Sequence, residues 1–274
     1  MLRIRPEAVF VGLWLLCFGC GRLGERFPPV DLPDGQGFSE ILPPSPKDVV
    51  ISMQRQGAVC LGEVELGLSW EKALNGALQR VAKGQPVLSE STADLQPERP
   101  DRCVRPDVYL RIDRTVPFAR LDPVLTVCTG ADVELIGLQM KLTRHAPRSQ
   151  FNSANHTKCL PGIVVHLFSP KRLAGVGSRH PICMRVKADG KVFLNRLELP
   201  LRELDHWFQA IYPYRGDKSL FVIADAAASY DQLVMALAVA EQSARRVRMD
   251  ITLVNLAQAK GCFHEPPHPD LDFE

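Results

Sequence analysis

The sequence predicts an α+β fold of two tandem ββαβαβ domains, each a small sheet with two helices on one face. An internal repeat is the first reason. Residues 57–68 and 190–201 share Gly57/Gly190, Val59/Val192, Leu61/Leu194, Glu65/Glu198, Leu66/Leu199 and Leu68/Leu201 at a constant offset of 133. The second reason is a further block in each half. Tyr109-Leu-Arg-Ile-Asp113 followed by Phe118 matches Phe221-Val-Ile-Ala-Asp225 followed by Tyr230, at an offset of 112. Self-similarity of this kind decides the architecture before any local reading. Length is the third, because 274 residues fit about two domains of ~100–150 residues.

The elements follow in order. Pro28, Pro29, Pro33, Pro43, Pro44 and Pro46 make 21–47 a semi-extended linker, since proline excludes helix and interrupts a strand. The first domain spans 48–140. Val49–Met53 is a β-branched strand, Gln54 to Gly57 a turn and Ala58–Val64 the returning strand. Ser69 is the expected N-cap of a helix from Trp70 to Ala82, whose apolar positions recur at helical spacing. Asp107–Ile112 is a strand, Pro117 opens a helix to about Gly130, and Val133–Met140 closes the unit.

Residues 141–161 read as the inter-repeat linker and 162–256 as the second domain. The second domain adds a strand, Ile163–Phe168, with no counterpart in the first. Ile182–Val186 and Val192–Leu197 form a hairpin around Asp189-Gly190, a strong turn dipeptide. Helix Leu201–Ile211, strand Leu220–Ala224, a helix from Tyr230 to about Arg245 and strand Val247–Val254 complete it. Phe118, Leu121, Leu125 and Cys128 align with Tyr230, Leu233, Leu237 and Ala240 as one apolar stripe that must pack on a sheet. Residues 257–274 are an acidic tail. Its Cys262, His264, Glu265 and His268 are read as a flexible end, because the prolines around them forbid the helix that would align the histidines.

The N-terminus reads as an export signal over 1–20. Arg3 and Arg5 precede Ala8–Gly19, an uncharged apolar stretch shorter than the ~20 residues that cross a bilayer. Gly19-Cys20 resembles a bacterial lipoprotein processing site, which would make Cys20 the lipid-bearing first residue; secretion after cleavage nearby and a retained short anchor are the alternatives. Exported cysteines can form disulfides. Cys103, before a strand, and Cys128, near the end of the helix returning antiparallel to it, are the expected pair. A net charge of +2 without a long run of one sign gives no support for nucleic-acid binding or a polybasic membrane patch.

The repeated motif is Gly-x-Val-x-Leu, then Glu-Leu-x-Leu and a helix, then a strand ending in Asp with an aromatic five residues on (Asp113/Phe118, Asp225/Tyr230). This pattern resembles the periplasmic domain of the ExbD/TolR family of biopolymer-transport proteins over about 48–140 and 181–256. The resemblance implies a cell-envelope protein beside a proton-driven inner-membrane motor. Family members carry an aspartate in a transmembrane helix, whereas Ala8–Gly19 holds no Asp or Glu. What carries over is the soluble domain, which in the family binds partners or cell wall. It also implies that the two copies pair as an intramolecular pseudo-dimer, leaving the chain monomeric.

Asp113 and Asp225 are expected to fix strand-to-helix turns by accepting backbone N–H bonds. Glu65 and Glu198 are expected as solvated carboxylates near helix N-termini. No phosphate loop, nucleophile elbow, catalytic constellation or zinc spacing is present in the sequence, so no catalytic, cofactor or metal residue is assigned. The expected function is a non-enzymatic, lipid-anchored envelope adaptor that binds a protein partner or peptidoglycan. The alternatives are an accessory component of an ExbB/ExbD-type motor and an envelope enzyme.

Overall fold

A computed structural model describes residues 27–35, 40–41, 44, 48–82, 104–142, 160–168 and 181–258. The first half carries strands β1 (Asp34–Gly35), β2 (Glu40–Ile41), β3 (Val49–Met53), β4 (Val59–Leu61) and β5 (Val64–Glu65). Helix α1 (Trp70–Ala82), β6 (Val108–Ile112), α2 (Phe118–Gly130), β7 (Leu135–Gln139) and β8 (Lys141–Leu142) follow. After β9 (Leu160–Leu167) come β10 (Ile182–Val186), β11 (Val192–Leu194), β12 (Leu197–Leu199), α3 (Leu201–Ile211), β13 (Ser219–Ala224), α4 (Tyr230–Val247) and β14 (Asp250–Leu253). The protein is mixed α/β, with these four helices among the described residues.

Twelve described strands form one sheet; eleven run in the order β12-β11-β10-β13-β14-β9-β7-β6-β3-β4-β5, and β2 joins it off this path at β9. On either side of β9 the pairing senses match. β4 is antiparallel to β3, β6 parallel to β3 and β7 parallel to β6. In the same way β11 is antiparallel to β10, β13 parallel to β10 and β14 parallel to β13. The strand without a counterpart in the sequence is the one that joins the halves. β9 pairs antiparallel with β7 from Leu135↔His166 to Gln139↔Gly162, and parallel with β14 at Thr252↔His166 and Leu253↔Leu167.

Turns agree bond for bond at the offset of 133. Gln54 and Lys187 donate to Ala58 and Lys191, Gly57 and Gly190 to Gln54 and Lys187, and Gly62 and Asn195 to Val50 and Cys183. Gly62 (φ 60°) and Asn195 (φ 54°) both stand in the left-handed region, which Gly and Asn adopt most readily. Each turns the chain from a hairpin strand into a short outer strand. The returning strands expected over Ala58–Val64 and Val192–Leu197 are therefore split in two.

Helix and strand residues share one core. Leu74, Ala77 and Leu78 of α1 and Leu121, Val124, Leu125 and Cys128 of α2 pack on Ile51, Leu110 and Leu138. Leu204 and Phe208 of α3 and Leu233, Leu237 and Ala240 of α4 pack on Met184, Val222 and Leu253, and the cluster is continuous across both halves. Ser69 is not the N-cap of α1. It lies in a 3-10 turn, Gly67–Ser69, that leads straight into the helix and has no side-chain cap.

The proline-rich segment does more than provide reach. β1 pairs parallel with β8, and β2 pairs antiparallel with β9. On the sheet face opposite the helices, Ile41 clusters with Val50 and Tyr109 and is fully buried. Gly137 and Gly162 make room for it: a Cβ at Gly137 would stand 3.3 Å from Ile41 Cδ1, and one at Gly162 would meet the same side chain. The segment 141–161, expected as a linker, opens with β8 and ends inside β9.

Candidate functional site

The loops that follow β6 and β13 meet. Pro117 and Ser229 form an antiparallel bridge, and they are equivalent at the offset of 112. Four backbone bonds surround this bridge in reciprocal pairs. Phe118 N–H donates to Ala228 O at 2.7 Å and Tyr230 N–H to Val116 O at 2.8 Å. Ala119 N–H donates to Ala226 O at 2.9 Å and Asp231 N–H to Arg114 O at 3.0 Å. The first turn of a helix has N–H groups without partners in the helix. Here the first two of α2 and of α4 are each satisfied by the other half's loop. Val116 and Ala228, equivalent again, are fully buried.

Side chains reinforce the junction unequally. Arg114 reaches Asp231 at 2.9 Å and Asp34 of β1 at 3.2 Å, tying the N-terminal segment to both halves. Asp122 of α2 accepts from Leu256 N at 2.6 Å. In α4 the Ser229 hydroxyl accepts from Gln232 N, and the Gln232 side chain accepts from Ser229 N, a capping box. Pro117 makes no side-chain cap, so α2 depends more on its cross-junction bonds.

The two aspartates differ in their surroundings. Asp113 is buried and accepts from the Thr115 amide at 3.0 Å, the Thr115 hydroxyl at 2.6 Å and the Asp31 amide at 3.4 Å. Burial alone would raise its carboxyl. The Thr115 and Asp31 bonds and the Arg55 charge outweigh burial and hold it below the ordinary value. Asp225 instead meets side chains, Arg185 at 2.6 Å and Lys187 at 3.4 Å. The turn itself is kept in both, with Val116 N–H donating to Asp113 O and Ala228 N–H to Asp225 O.

Glu65 and Glu198 lie on the outermost strands β5 and β12 and are exposed. Glu198 pairs with Lys191 at 3.1 Å, so its contact is across the hairpin rather than with a helix terminus. Cys128, the expected partner of Cys103, is a free thiol. Burial in α2 pushes it up to about 12. Cys103 lies outside the described residues, as do Cys20, the export signal and the histidines of the tail. Among the described residues no group of three His, Cys, Asp or Glu side chains is placed to hold a metal. No helix among them is long and apolar enough to cross a membrane.

Sequence reasoning missed Arg114 and the loop pairing. The offset of 112 already equates Pro117 with Ser229, and that correspondence was the available signal. No protein-family model matches the chain, and no curated protein matches it in sequence.

Proposed function

We propose that the chain is a non-enzymatic adaptor of the cell envelope. It consists of two tandem ExbD/TolR-like ββαβαβ units, tethered through lipid on Cys20 and binding a protein partner or cell wall. One observation carries this reading. The five strands on each side of β9 have the same order and the same pairing senses, and both sets lead into helices opened by the reciprocal loop junction. A pair locked in this way presents a rigid body with strand edges at its two ends. An exposed edge accepts an extended partner segment through main-chain bonds. The resemblance supplies the compartment, and Asp34, in the segment that follows the proposed anchor in sequence, pairs with Arg114 at the junction.

The test is affinity capture of the tagged protein from cross-linked cell envelopes. Recovery of one specific envelope protein or of peptidoglycan fragments supports the adaptor. Recovery of a motor subunit narrows it to an accessory role in transport. Recovery of neither, with the protein folded and membrane-associated, argues against it. Cys20→Ala is expected to release the protein from membranes; unchanged membrane partition and an unchanged N-terminus would remove the lipid anchor from the account.

A further inference from the structure

The outer edge of β5 shares two properties with the opposite edge, β12, where Leu197 is also exposed, and differs from it in a third. The first is a strand edge that no strand pairs with among the described residues. β5 bonds to β4 through Cys60↔Glu65 and Leu61↔Val64, and Leu66 N–H donates inward to Val59 O at 2.9 Å. In an antiparallel ladder successive residues bond to alternate sides, so the main-chain groups of Glu65 face outward. The second is apolar exposure. Val64 is 58% exposed and Leu68 is fully exposed. The third is uncompensated charge. Glu63 and Glu65 are exposed and make no ion pair among the described residues.

The β12 edge has been neutralised at the same positions. Glu198, equivalent to Glu65, is paired with Lys191, and Arg196 occupies the place of Glu63. Edge strands are often protected by charge, and the carboxylates of Glu65 in β5 and of Glu63 in the turn before it repel another β5 edge or any acidic strand. That disfavours a second copy of this chain as the occupant. Complementarity selects an extended segment in which lysine or arginine alternates with aliphatic residues. Its cations would face Glu63 and Glu65, and its aliphatic side chains would cover Val64 and Leu68.

We propose that β5 is the docking edge for such a basic-aliphatic segment of an envelope partner, added as a further strand along Val64–Leu66. This rests on the adaptor reading and names the chemistry of its partner. The deciding experiment titrates the chain from residue 20 onward with a synthetic peptide alternating Lys and Val, following amide exchange at Glu65. Saturable binding that weakens with salt, with protection of the Glu65 amide, is expected. The double variant Glu63→Lys, Glu65→Lys should lose about tenfold in affinity, while Glu198→Lys should bind as the parent does. Circular dichroism of each variant checks that the fold is kept. Absence of saturable binding, equal binding of a Glu/Val peptide or of a backbone N-methylated Lys/Val peptide, or an unprotected Glu65 amide overturns the proposal. Envelope capture with the same double variant separates the two readings. A partner recovered equally by parent and variant removes β5 as the edge and leaves the adaptor standing. No partner recovered by the parent counts against the adaptor, and the peptide titration still decides the edge.

Discussion

Three tyrosines are fully buried, and their hydroxyls differ. Tyr109 is 2% exposed, Tyr212 0% and Tyr230 1%. The hydroxyl of Tyr212 donates to Ser219 O at 3.0 Å, whereas those of Tyr109 and Tyr230 have no hydrogen-bond partner among the described residues. The repeat supplies its own control. Phe221 stands at the position of Tyr109 and Phe118 at the position of Tyr230, both buried. Each half thus accepts a phenyl ring where the other holds a phenol. A buried hydroxyl without a partner carries a desolvation cost of about 1–3 kcal/mol. Burial also pushes both phenols well above their ordinary ionisation range, so neither is relieved by deprotonation at accessible pH. Tyr230→Phe and Tyr109→Phe should each stabilise the protein by about 0.5–2 kcal/mol, allowing for partial relaxation around the lost oxygen. Tyr212→Phe should destabilise it by about 1 kcal/mol. Urea denaturation at constant slope measures all three. If Tyr230→Phe and Tyr109→Phe lose as much stability as Tyr212→Phe, their hydroxyls have partners and the reasoning from burial is wrong.

Two further outcomes follow from the packing. Gly162→Ala should destabilise by about 1–3 kcal/mol, because its Cβ would stand 2.7 Å from Leu138 O and also meet Ile41; adding Ile41→Ala should cost less than the two single changes combined, as a double-mutant cycle reads. The Asp113 carboxyl is held below its ordinary value in the folded state. Its contribution is therefore complete above about pH 4 and is lost as pH falls through the folded value, so Asp113→Asn should flatten the acid limb of a stability-against-pH curve.

Much of the architecture was legible because local and long-range signals agreed. The stripes Phe118/Leu121/Leu125/Cys128 and Tyr230/Leu233/Leu237/Ala240 fix one apolar face each, and all eight residues are buried. What escaped was set by context. Ile163–Phe168 reads as a strand on its own, but nothing within it reveals that its two edges take β7 and β14. The prolines of 21–47 argue against regular structure, yet Asp34–Gly35 and Glu40–Ile41 need only two residues each to pair. Ile41 finds its place because Gly137 and Gly162, far away in sequence, present no side chain. Arg114 has no counterpart in the second repeat, since Ala226 stands at its equivalent position. The site residues were the least legible for a related reason. Asp113 and Asp225 occupy the same turn, but Thr115 follows one and Ala227 the other, and Arg185 takes the place of Ser52.

The two halves share one sheet and one core, joined by β9 and by the bridge between Pro117 and Ser229. Trp70 lies in α1 and Trp207 in α3, one reporter in each half. With Trp14 replaced, variants that keep only Trp70 or only Trp207 can be unfolded in urea and followed by fluorescence. Coincident transitions with equal midpoints are expected, because one cooperative core spans both halves. Two separate midpoints, with one half retaining its signal after the other has unfolded, would contradict it.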